Sequence, residues 1–401
     1  MQKTRGKPTM RMPMPAVSSN PDRHLRPTWY EIDLGAVAHN VRELRRLVGS
    51  KVAIFGCLKR NGYGCGGPAV GRAAVAAGAD GLAVGNIDDA LAVRRAGVIA
   101  PILLYPTCLP DVAPMVEAHD LIPTISTPEE AQAWHTAFSA PRPVFLKADV
   151  GLFRAGVMPD AAPDLFNSVK KLSRLVPAGL YGHFYSYGAE PSPKHYRWQF
   201  DNMLKVRNAA VAAGLALPVV MVSSTTAILD YPDMDLSGVD PGRLLCGVAG
   251  GAASARGAKL RPAFQSLKTR LIMRKSLGQA ETGGHPPPFA VTAGMSIGIL
   301  PIGWGDGLPR PLPAGASALI RGRRAPLLDP IHLEHLRIDL TGHPEAQPGD
   351  EVVLIGRQGD AEIPLDEILS SWRMDSTTFH ASLRDHIERR YTGGAISDGS
   401  E

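Results

Sequence analysis

From Trp29 onward, short apolar runs alternate with segments of helical pattern. The helical segments place apolar residues three or four positions apart among charged ones, as in 86–96, 127–138 and 191–213. Strands that alternate with helices favour a parallel sheet built from βαβ units. An open doubly wound sheet is the alternative to a barrel, but no G-x-G-x-x-G pattern follows the first run. The apolar runs number eight, as a (β/α)8 barrel requires, and span 52–58, 80–84, 101–105, 121–125, 143–149, 178–184, 218–223 and 243–248.

The pattern changes after about residue 262, where Gly, Pro and Asp turns separate short apolar runs and no clear helical pattern intervenes before 365–371. This favours an antiparallel β domain appended to the barrel. The predicted fold class is therefore α/β, with a (β/α)8 barrel over 27–262 and an antiparallel β domain over 263–395. The apolar runs of this domain are 266–276, 295–301, 316–320, 336–340 and 351–355.

The chain of 401 residues has 43 Lys and Arg against 38 Asp and Glu, a formal charge of +5. A basic surplus can indicate a nucleic-acid partner. The whole surplus lies in residues 1–26, however, which carry six basic residues and one acidic residue. Residues 1–26 are rich in Pro, Met, Ser and Arg without periodicity, which predicts a disordered basic tail. The rest of the chain is balanced, so we expect no nucleic-acid partner.

No run of about 18 apolar residues occurs, and no apolar segment follows the basic N-terminus as in a signal peptide. The four cysteines show no paired or metal-ligand spacing. We therefore expect a cytoplasmic protein with reduced thiols, no bound metal and no membrane partner.

Ionisable and small polar residues follow several predicted barrel strands, where the catalytic groups of a barrel lie. Lys59 follows the first run, and Lys147 lies near the end of the fifth. Gly, Ser and Thr residues able to cradle a phosphate lie at 61–66, at 223–226 and just before the predicted eighth strand. A desolvated lysine can be a Schiff-base nucleophile. With a phosphate cradle, it indicates pyridoxal 5'-phosphate (PLP), although lysines and phosphate cradles at barrel ends also serve other ligands.

Short motifs follow one another in a fixed order over about 27–372. They include YEIDLGAVAHNV at 30–41, LKRNGYGCG at 58–66, LKAD at 146–149, RAGV at 154–157, LPIGWGDG at 300–307 and VLIGRQG at 353–359. This ordered series resembles the alanine racemases, which are fold-type III PLP enzymes with a barrel and a C-terminal β domain. The resemblance implies a homodimer in which each β domain completes the active site of the other subunit. It also implies abstraction of the Cα proton of a small amino acid through an external aldimine.

The resemblance also implies residue roles. Lys59 would form the aldimine with PLP and act as base on one face of the substrate Cα. Arg154 would contact the cofactor and the substrate carboxylate, and Lys147 would position Arg154. His183 would lie under the cofactor. The expected contacts to the cofactor phosphate are Tyr63, Ser224 or Thr225, Gly242 and Arg243.

The sequence departs from the family at Asp240, where alanine racemases have an arginine that contacts the pyridine nitrogen. A carboxylate there would hold the nitrogen protonated and stabilise a carbanion. We therefore expect Asp240 to contact the cofactor and take part in catalysis. In the alternative, Asp240 caps a turn and faces away from the cofactor.

Further departures concern the groups that the β domain would contribute to the partner subunit. The family's second base is a tyrosine, and its position falls at about His285, whose imidazole has a suitable pKa. His285 is equally well a loop residue, and Tyr185 or Tyr187 are alternative bases. The family's Met-Asp pair near the substrate carboxylate becomes Leu333-Glu334. His332 and Glu334 would share one face of a strand, which resembles a weak metal pair but is more typical of exposed polar residues.

The sequence thus predicts a PLP-dependent isomerase, an amino-acid racemase of divergent specificity. The alternative is a decarboxylase, a β-eliminating dehydratase or a retro-aldolase of the same fold, driven by Asp240. A PLP-binding regulatory homologue without turnover is a third possibility.

Overall fold

The computed structural model describes residues 26–185, 192–249, 254–277, 285–286, 288–292 and 294–393. It contains a closed barrel of eight parallel strands and a larger sheet in which most pairs are antiparallel, so the predicted fold class is confirmed. Residues 1–25 of the predicted tail and Tyr187 lie outside the described residues. None of the helices in the described ranges is both long and apolar enough to cross a membrane.

The barrel closes because its last strand pairs with its first. Ala53 and Ile54 lie opposite Gly238 and Val239 in parallel register. The first strand of the chain, β1 (Thr28–Asp33), lies outside the barrel, whose strands follow it. They are β2 (Ala53–Cys57), β3 (Gly81–Val84), β4 (Ile102–Leu104), β5 (Leu121–Ile125), β6 (Arg142–Lys147), β7 (Leu175–His183), β8 (Val219–Ser223) and β9 (Gly238–Val239).

Helices connect the barrel strands, and the three predicted from periodicity are present. The helices Ile87–Arg95 and Pro128–Ala137 begin after side-chain caps, in which Asn86 accepts from the Asp89 amide and Thr127 accepts from the Glu130 amide. Ser192 caps the long helix Pro193–Ala212 in the same way. The other helices of this half are Leu34–Val48, Gly67–Ala76, Ala113–Ala118, Ala162–Lys170 and Thr225–Asp230.

The eighth strand was wrongly predicted at 243–248. It is Gly238–Val239, and the apolar residues that suggested a strand form a buried 3-10 helix, Arg243–Cys246. Pro241 cannot donate a backbone hydrogen bond, so the strand ends before it, although the Pro241 carbonyl still accepts from the Cys57 amide at 2.8 Å. A short apolar run by itself does not distinguish a strand from a buried helical turn. The correction matters for function, because Asp240 follows the last barrel strand instead of preceding it.

The second sheet has ten strands in the described part of the chain, β1 and nine later ones. The later strands are β10 (Phe264–Arg270), β11 (Met273–Ser276), β12 (Ser296–Leu300), β13 (Ser317–Ile320), β14 (Arg323–Leu328), β15 (Leu336–Asp339), β16 (Glu351–Gln358), β17 (Ala361–Ile363) and β18 (Glu388–Thr392), and the helices Leu365–Ser371 and Ser376–Ser382 accompany them. The edge-to-edge order is β11-β12-β15-β14-β13-β16-β10-β1-β18, with β17 paired to β16. The sheet is mixed, because β1 pairs with β18 in parallel. Strands β14, β17 and β18 and the helix Ser376–Ser382 were not predicted.

The start of the described chain belongs to this second sheet. Strand β1, which the sequence placed with the barrel, pairs antiparallel with β10. Arg26, counted with the disordered tail, donates from Nη1 to Asp306 Oδ1 at 2.9 Å and from Nε to the Pro301 carbonyl at 3.0 Å. Asp306 is buried, and a buried carboxylate requires such a partner. Arg26 is therefore structured, and the division at 262/263 remains a prediction.

The barrel wall separates two apolar layers. Phe55 and Phe145 meet edge to face inside the barrel, with ring centroids 5.6 Å apart. Ile102 of β4 is fully buried in the core cluster that also contains the helix residues Val93 and Val116. Ile99, three residues earlier, is 93% exposed. The two isoleucines therefore allow burial to be compared in one short segment.

We predict that Ile102→Ala destabilises the protein by about 2–5 kcal/mol, because it removes buried methyl groups and leaves a cavity. The matched control, Ile99→Ala, should change stability by less than about 0.5 kcal/mol. Thermal unfolding followed by circular dichroism measures both. Equal shifts of the midpoint would contradict this assignment of the core.

Candidate active site

A cavity of about 330 Å³ opens at the carboxyl ends of the barrel strands. Its ionisable lining residues follow or end different strands: Lys59 follows β2, Lys147 ends β6, His183 ends β7 and Asp240 follows β9. Parallel strands bring these residues together although they are far apart in the chain. The full lining is Lys59, Gly85, Tyr105, Pro106, Thr107, Lys147, Arg154, Ala155, Tyr181, His183 and Asp240.

The chain leaves Lys59 in a left-handed turn. Arg60, Asn61, Gly62, Tyr63 and Gly64 all have φ between 52° and 76°. Left-handed backbone costs about 1–2 kcal/mol per residue with a side chain. Such strain persists where surrounding contacts hold it, often at functional sites.

The C-terminal segment supplies those contacts. Asp385 accepts hydrogen bonds from Arg60 Nη1 at 2.6 Å and from Asn61 Nδ2 at 2.9 Å. Arg389 Nε donates to the Gly64 carbonyl at 2.8 Å. Strand β18 and the segment just before it therefore hold the turn that joins Lys59 to Tyr63.

The residues expected at a phosphate lie close to one another, next to the cavity lining. A Cβ on Gly242 would come within 2.3 Å of the Tyr63 hydroxyl, so glycine is needed for this close approach. Arg243 Nε donates to Thr225 Oγ1 at 3.0 Å, and its Nη1 donates to Thr377 Oγ1 at 2.7 Å.

Ser224 and Thr225 have different environments. Ser224 Oγ accepts from the Ala227 amide at 3.1 Å and caps the following helix. Thr225 is the first residue of that helix, and its hydroxyl contacts Arg243. The Ser224 hydroxyl is therefore used in a helix cap, whereas the Thr225 hydroxyl accepts from the guanidinium of Arg243.

Lys147 is buried, with Nζ 4.0 Å from the centroid of the Tyr181 ring. Burial lowers the pKa of Lys147 to about 7, with further lowering by Arg154 and Lys59. Burial also lowers the pKa of His183 to about 3. At neutral pH, His183 is therefore a neutral imidazole, and Lys147 has a substantial neutral fraction.

Arg154 is positioned by a loop that folds around Asp149. Asp149 Oδ1 accepts from the amides of Gly151 at 2.9 Å and Leu152 at 2.9 Å. Its Oδ2 accepts from the Arg154 amide at 2.6 Å. A carboxylate with several amide donors is a rigid anchor, so Arg154 extends from a fixed backbone into the cavity.

Asp240 faces the cavity. Its Oδ2 accepts a hydrogen bond from the Tyr105 hydroxyl at 2.8 Å. Its Oδ1 is buried and has no hydrogen-bond partner among the described residues. Burial raises the pKa of Asp240, against the opposing effects of Lys59 and the Tyr105 hydroxyl. Tyr105 and Tyr181 were not predicted as site residues, because isolated tyrosines near strand ends carry no spacing signal.

His285 and Leu333 do not line this cavity. Both are exposed. The guanidinium of Arg337 lies 5.1 Å from the centroid of the Phe289 ring and contacts the His332 imidazole. The segment that contains His285 and the segment that contains Leu333 therefore approach each other on the second sheet. Among the described residues, no group of three or more His, Cys, Asp or Glu could hold a metal ion.

A closed parallel barrel with ionisable groups at the carboxyl ends of its strands is the architecture of a barrel enzyme. The chain belongs to the alanine racemase family, a family of isomerases. The family's N-terminal domain matches residues 32–250, and its C-terminal domain matches residues 264–391.

Relatives and solved structures agree with this assignment. The chain is 31% identical to an alanine racemase of Halothermothrix orenii, over 92% of this chain and 98% of the relative. It is 33% identical to one of Desulfosudis oleivorans, over 92% and 97%. Its fold is similar to alanine racemase from Bacillus anthracis with bound L-Ala-P (TM-score 0.81, 26% identity, 93% of this chain and 97% of that one). It is also similar to that from E. faecalis (TM-score 0.79, 28% identity, 92% and 98%).

We predict that Asp385→Ala destabilises the protein by about 1 kcal/mol, because Arg60 and Asn61 lose their shared acceptor. If the cavity binds PLP, as the sequence predicts, Asp385→Ala should also weaken that binding, because the turn carries both Lys59 and Tyr63. Thermal unfolding and fluorescence titration measure the two effects. The control is Asp233→Ala, which breaks a surface ion pair with Arg197 (2.6 Å). If the control weakens PLP binding as much, Asp385 does not act through the turn.

We predict that Lys147→Met stabilises the ligand-free protein at pH 6 and that this gain disappears toward pH 10. The pKa of Lys147 is about 7 in the folded protein against 10.5 for an ordinary lysine. Between these values the unfolded chain binds more protons, so the stability of the wild type rises with pH. Unfolding midpoints of the wild type and of Lys147→Met across this pH range test the sign of the pH dependence. The control is Lys171→Met at an exposed lysine. A gain independent of pH would contradict the prediction.

Proposed function

We propose that this protein is a PLP-dependent racemase of a small amino acid that works as a homodimer. The observation that carries the proposal is one cavity holding Lys59, Lys147, Arg154, His183 and Asp240. Of these five side chains, two lysines and one arginine can carry positive charge, one aspartate can carry negative charge, and the histidine is neutral because its pKa is about 3. This balance suits an anionic cofactor and a substrate carboxylate.

Two features of the cavity fit PLP. The free Oδ1 of Asp240 is a buried acceptor in need of a donor, which a protonated ring nitrogen would supply. The close approach of Gly242 to Tyr63 leaves backbone and a phenol beside Arg243 and Thr225, a set of groups suited to a phosphate. Lys59 would hold the aldehyde carbon covalently. Ser224 caps the helix Thr225–Asp230 and would thereby hold Thr225 in position beside the phosphate. When bound, PLP supplies an electron-withdrawing ring that acidifies the Cα proton of an attached amino acid.

The chain's own groups then have distinct tasks. Lys59 Nζ removes or returns a proton on one face of the substrate Cα. Arg154 binds the substrate carboxylate with its planar guanidinium. Lys147 lies in the same cavity as Arg154, and it adds less positive charge there than an ordinary lysine because its pKa is about 7. His183, which is neutral because its pKa is about 3, would help to hold the cofactor without competing for a proton.

The proton donor on the opposite face comes from the second subunit in this proposal. His285 and Leu333 are exposed in a single subunit, and Arg337 links their segments. Because both residues are exposed and lie outside the cavity of their own subunit, they are available to enter the cavity of a partner subunit. We assign the second base to His285 and a substrate contact to Leu333, each acting in the other subunit.

A lyase reaction of the same fold is the second candidate. Asp240 favours it, because a carboxylate at the ring nitrogen makes the cofactor a stronger electron sink than the arginine of the family. A stronger sink supports decarboxylation, β-elimination or retro-aldol cleavage, which need no second base. The products distinguish the two candidates.

We predict that the protein with PLP and a small amino acid in D2O gives Cα deuteration with inversion. Release of CO2, ammonia or an aldehyde would instead indicate the lyase. Borohydride reduction followed by peptide mapping should place the cofactor on Lys59. Lys59→Ala should abolish both linkage and exchange, whereas exposed Lys51→Ala should preserve them. Retention of the linkage in Lys59→Ala would contradict the proposal.

His285→Phe separates the two bases. We expect exchange at Cα to persist on the Lys59 face while inversion falls by about 100-fold or more, as for loss of a general acid–base group. His119→Phe, on the barrel half, is the control. Unchanged inversion in His285→Phe would exclude His285 as the second base.

A further inference from the structure

Two tyrosines form part of the cavity wall, and neither has a task in the proposal above. Tyr105 follows β4 and is buried, with 6% of its surface exposed. Its hydroxyl donates to Asp240 Oδ2 at 2.8 Å, and Lys59 Nζ lies 4.3 Å from the centroid of its ring. Tyr105 therefore contacts both the lysine and the carboxylate that flank the proposed cofactor position.

Tyr181 has a similar position but a different partner. Its ring lies beneath Lys147 Nζ, and its centroid is 5.7 Å from that of Tyr105. Its hydroxyl, however, pairs with Thr124 Oγ1 at 2.9 Å. Both rings support an amine, but the hydroxyl of Tyr105 contacts an ionisable group in the cavity. This difference points to a task for the Tyr105 hydroxyl beyond packing.

The two oxygens of Asp240 are made unequal by this hydrogen bond. Oδ2 accepts from Tyr105, whereas Oδ1 is buried and has no partner in the described ranges of the chain. The Asp240 amide donates to Ser223 Oγ at 3.2 Å, which holds the backbone at the end of the barrel. With backbone and one oxygen held, the carboxylate presents a single free acceptor.

We propose that Tyr105 is a positioning residue that orients Asp240 so that Oδ1 receives the N–H of the protonated cofactor ring. Its ring also contacts Lys59. One side chain therefore fixes the distance between the lysine that would bind the cofactor covalently and the carboxylate that would contact its ring nitrogen. The inference rests on the proposed function and adds to it the residue that orients the Asp240 carboxylate toward the ring nitrogen. A hydrogen bond from the phenol also favours the charged form of the carboxylate.

Tyr105→Phe tests this inference, because it removes the hydroxyl and keeps the ring under Lys59. The two ligands are PLP and its 1-deaza analogue, in which a C–H group replaces the ring nitrogen. For PLP, we expect binding about tenfold weaker than in the wild type, as for loss of a hydrogen bond to a charged group. For the analogue, which offers no N–H to Asp240, we expect no change. Fluorescence titration gives both dissociation constants.

The controls separate orientation from packing. Tyr181→Phe removes a cavity hydroxyl that does not contact Asp240, so any effect should be equal for the two ligands. Replacement of Tyr105 by 4-aminophenylalanine keeps the ring and an N–H donor, and it should restore the preference for PLP. This second variant decides the question if Tyr105→Phe does not fold. Equal losses for both ligands in Tyr105→Phe, or no recovery with the amino variant, would overturn the inference.

Failure of the inference is distinguishable from failure of the proposed function. If the wild type does not bind PLP, or if reduction places the cofactor on a residue other than Lys59, the proposed function fails and the inference with it. If the wild type binds PLP at Lys59 and Tyr105→Phe leaves the preference for PLP over the analogue unchanged, the inference alone fails.

Discussion

The confinement of charge at the carboxyl ends of the barrel strands is the constraint on which the site depends. Lys59, Lys147 and Arg154 share one small cavity with Asp240. Like charges in a poorly solvated space disfavour one another, and the pKa of Lys147 falls to about 7 as a result of burial and of its basic neighbours. The cavity thus combines fixed positive charge, at Arg154, with an amine that can be neutral.

The second sheet and the segment before its last strand support the site, although the cavity itself lies in the barrel. Asp385 and Arg389 hold the left-handed turn after Lys59, and β1 (Thr28–Asp33), which precedes the barrel strands in the chain, pairs with β10 of the same sheet. The turn has its strained geometry because contacts from the far end of the chain stabilise it. The barrel and the β domain therefore both contribute to the geometry of the site.

The sequence predicted the barrel because strands and helices alternate in a pattern that persists through much of the chain. It misplaced the eighth strand because residues 243–248 are apolar for a different reason, burial in a 3-10 helix. It predicted Lys59, Lys147, Arg154, His183 and Asp240 as site residues, and these five line one cavity, whereas the predicted His285 and Leu333 do not line it. It passed over Tyr105 and Tyr181, whose importance comes from the groups that they contact.

By itself, the sequence determined the alternation of strands and helices in the barrel, the family and the residue types at most of the strand ends, because these depend on local periodicity and short motifs. Tertiary structure alone decided which partners those residues have. Tyr105 and Asp240 are 135 positions apart, and Arg60 and Asp385 are 325 apart. Hydrogen bonds over such separations arise from how the barrel closes and how the second sheet packs against it, and no local pattern encodes them.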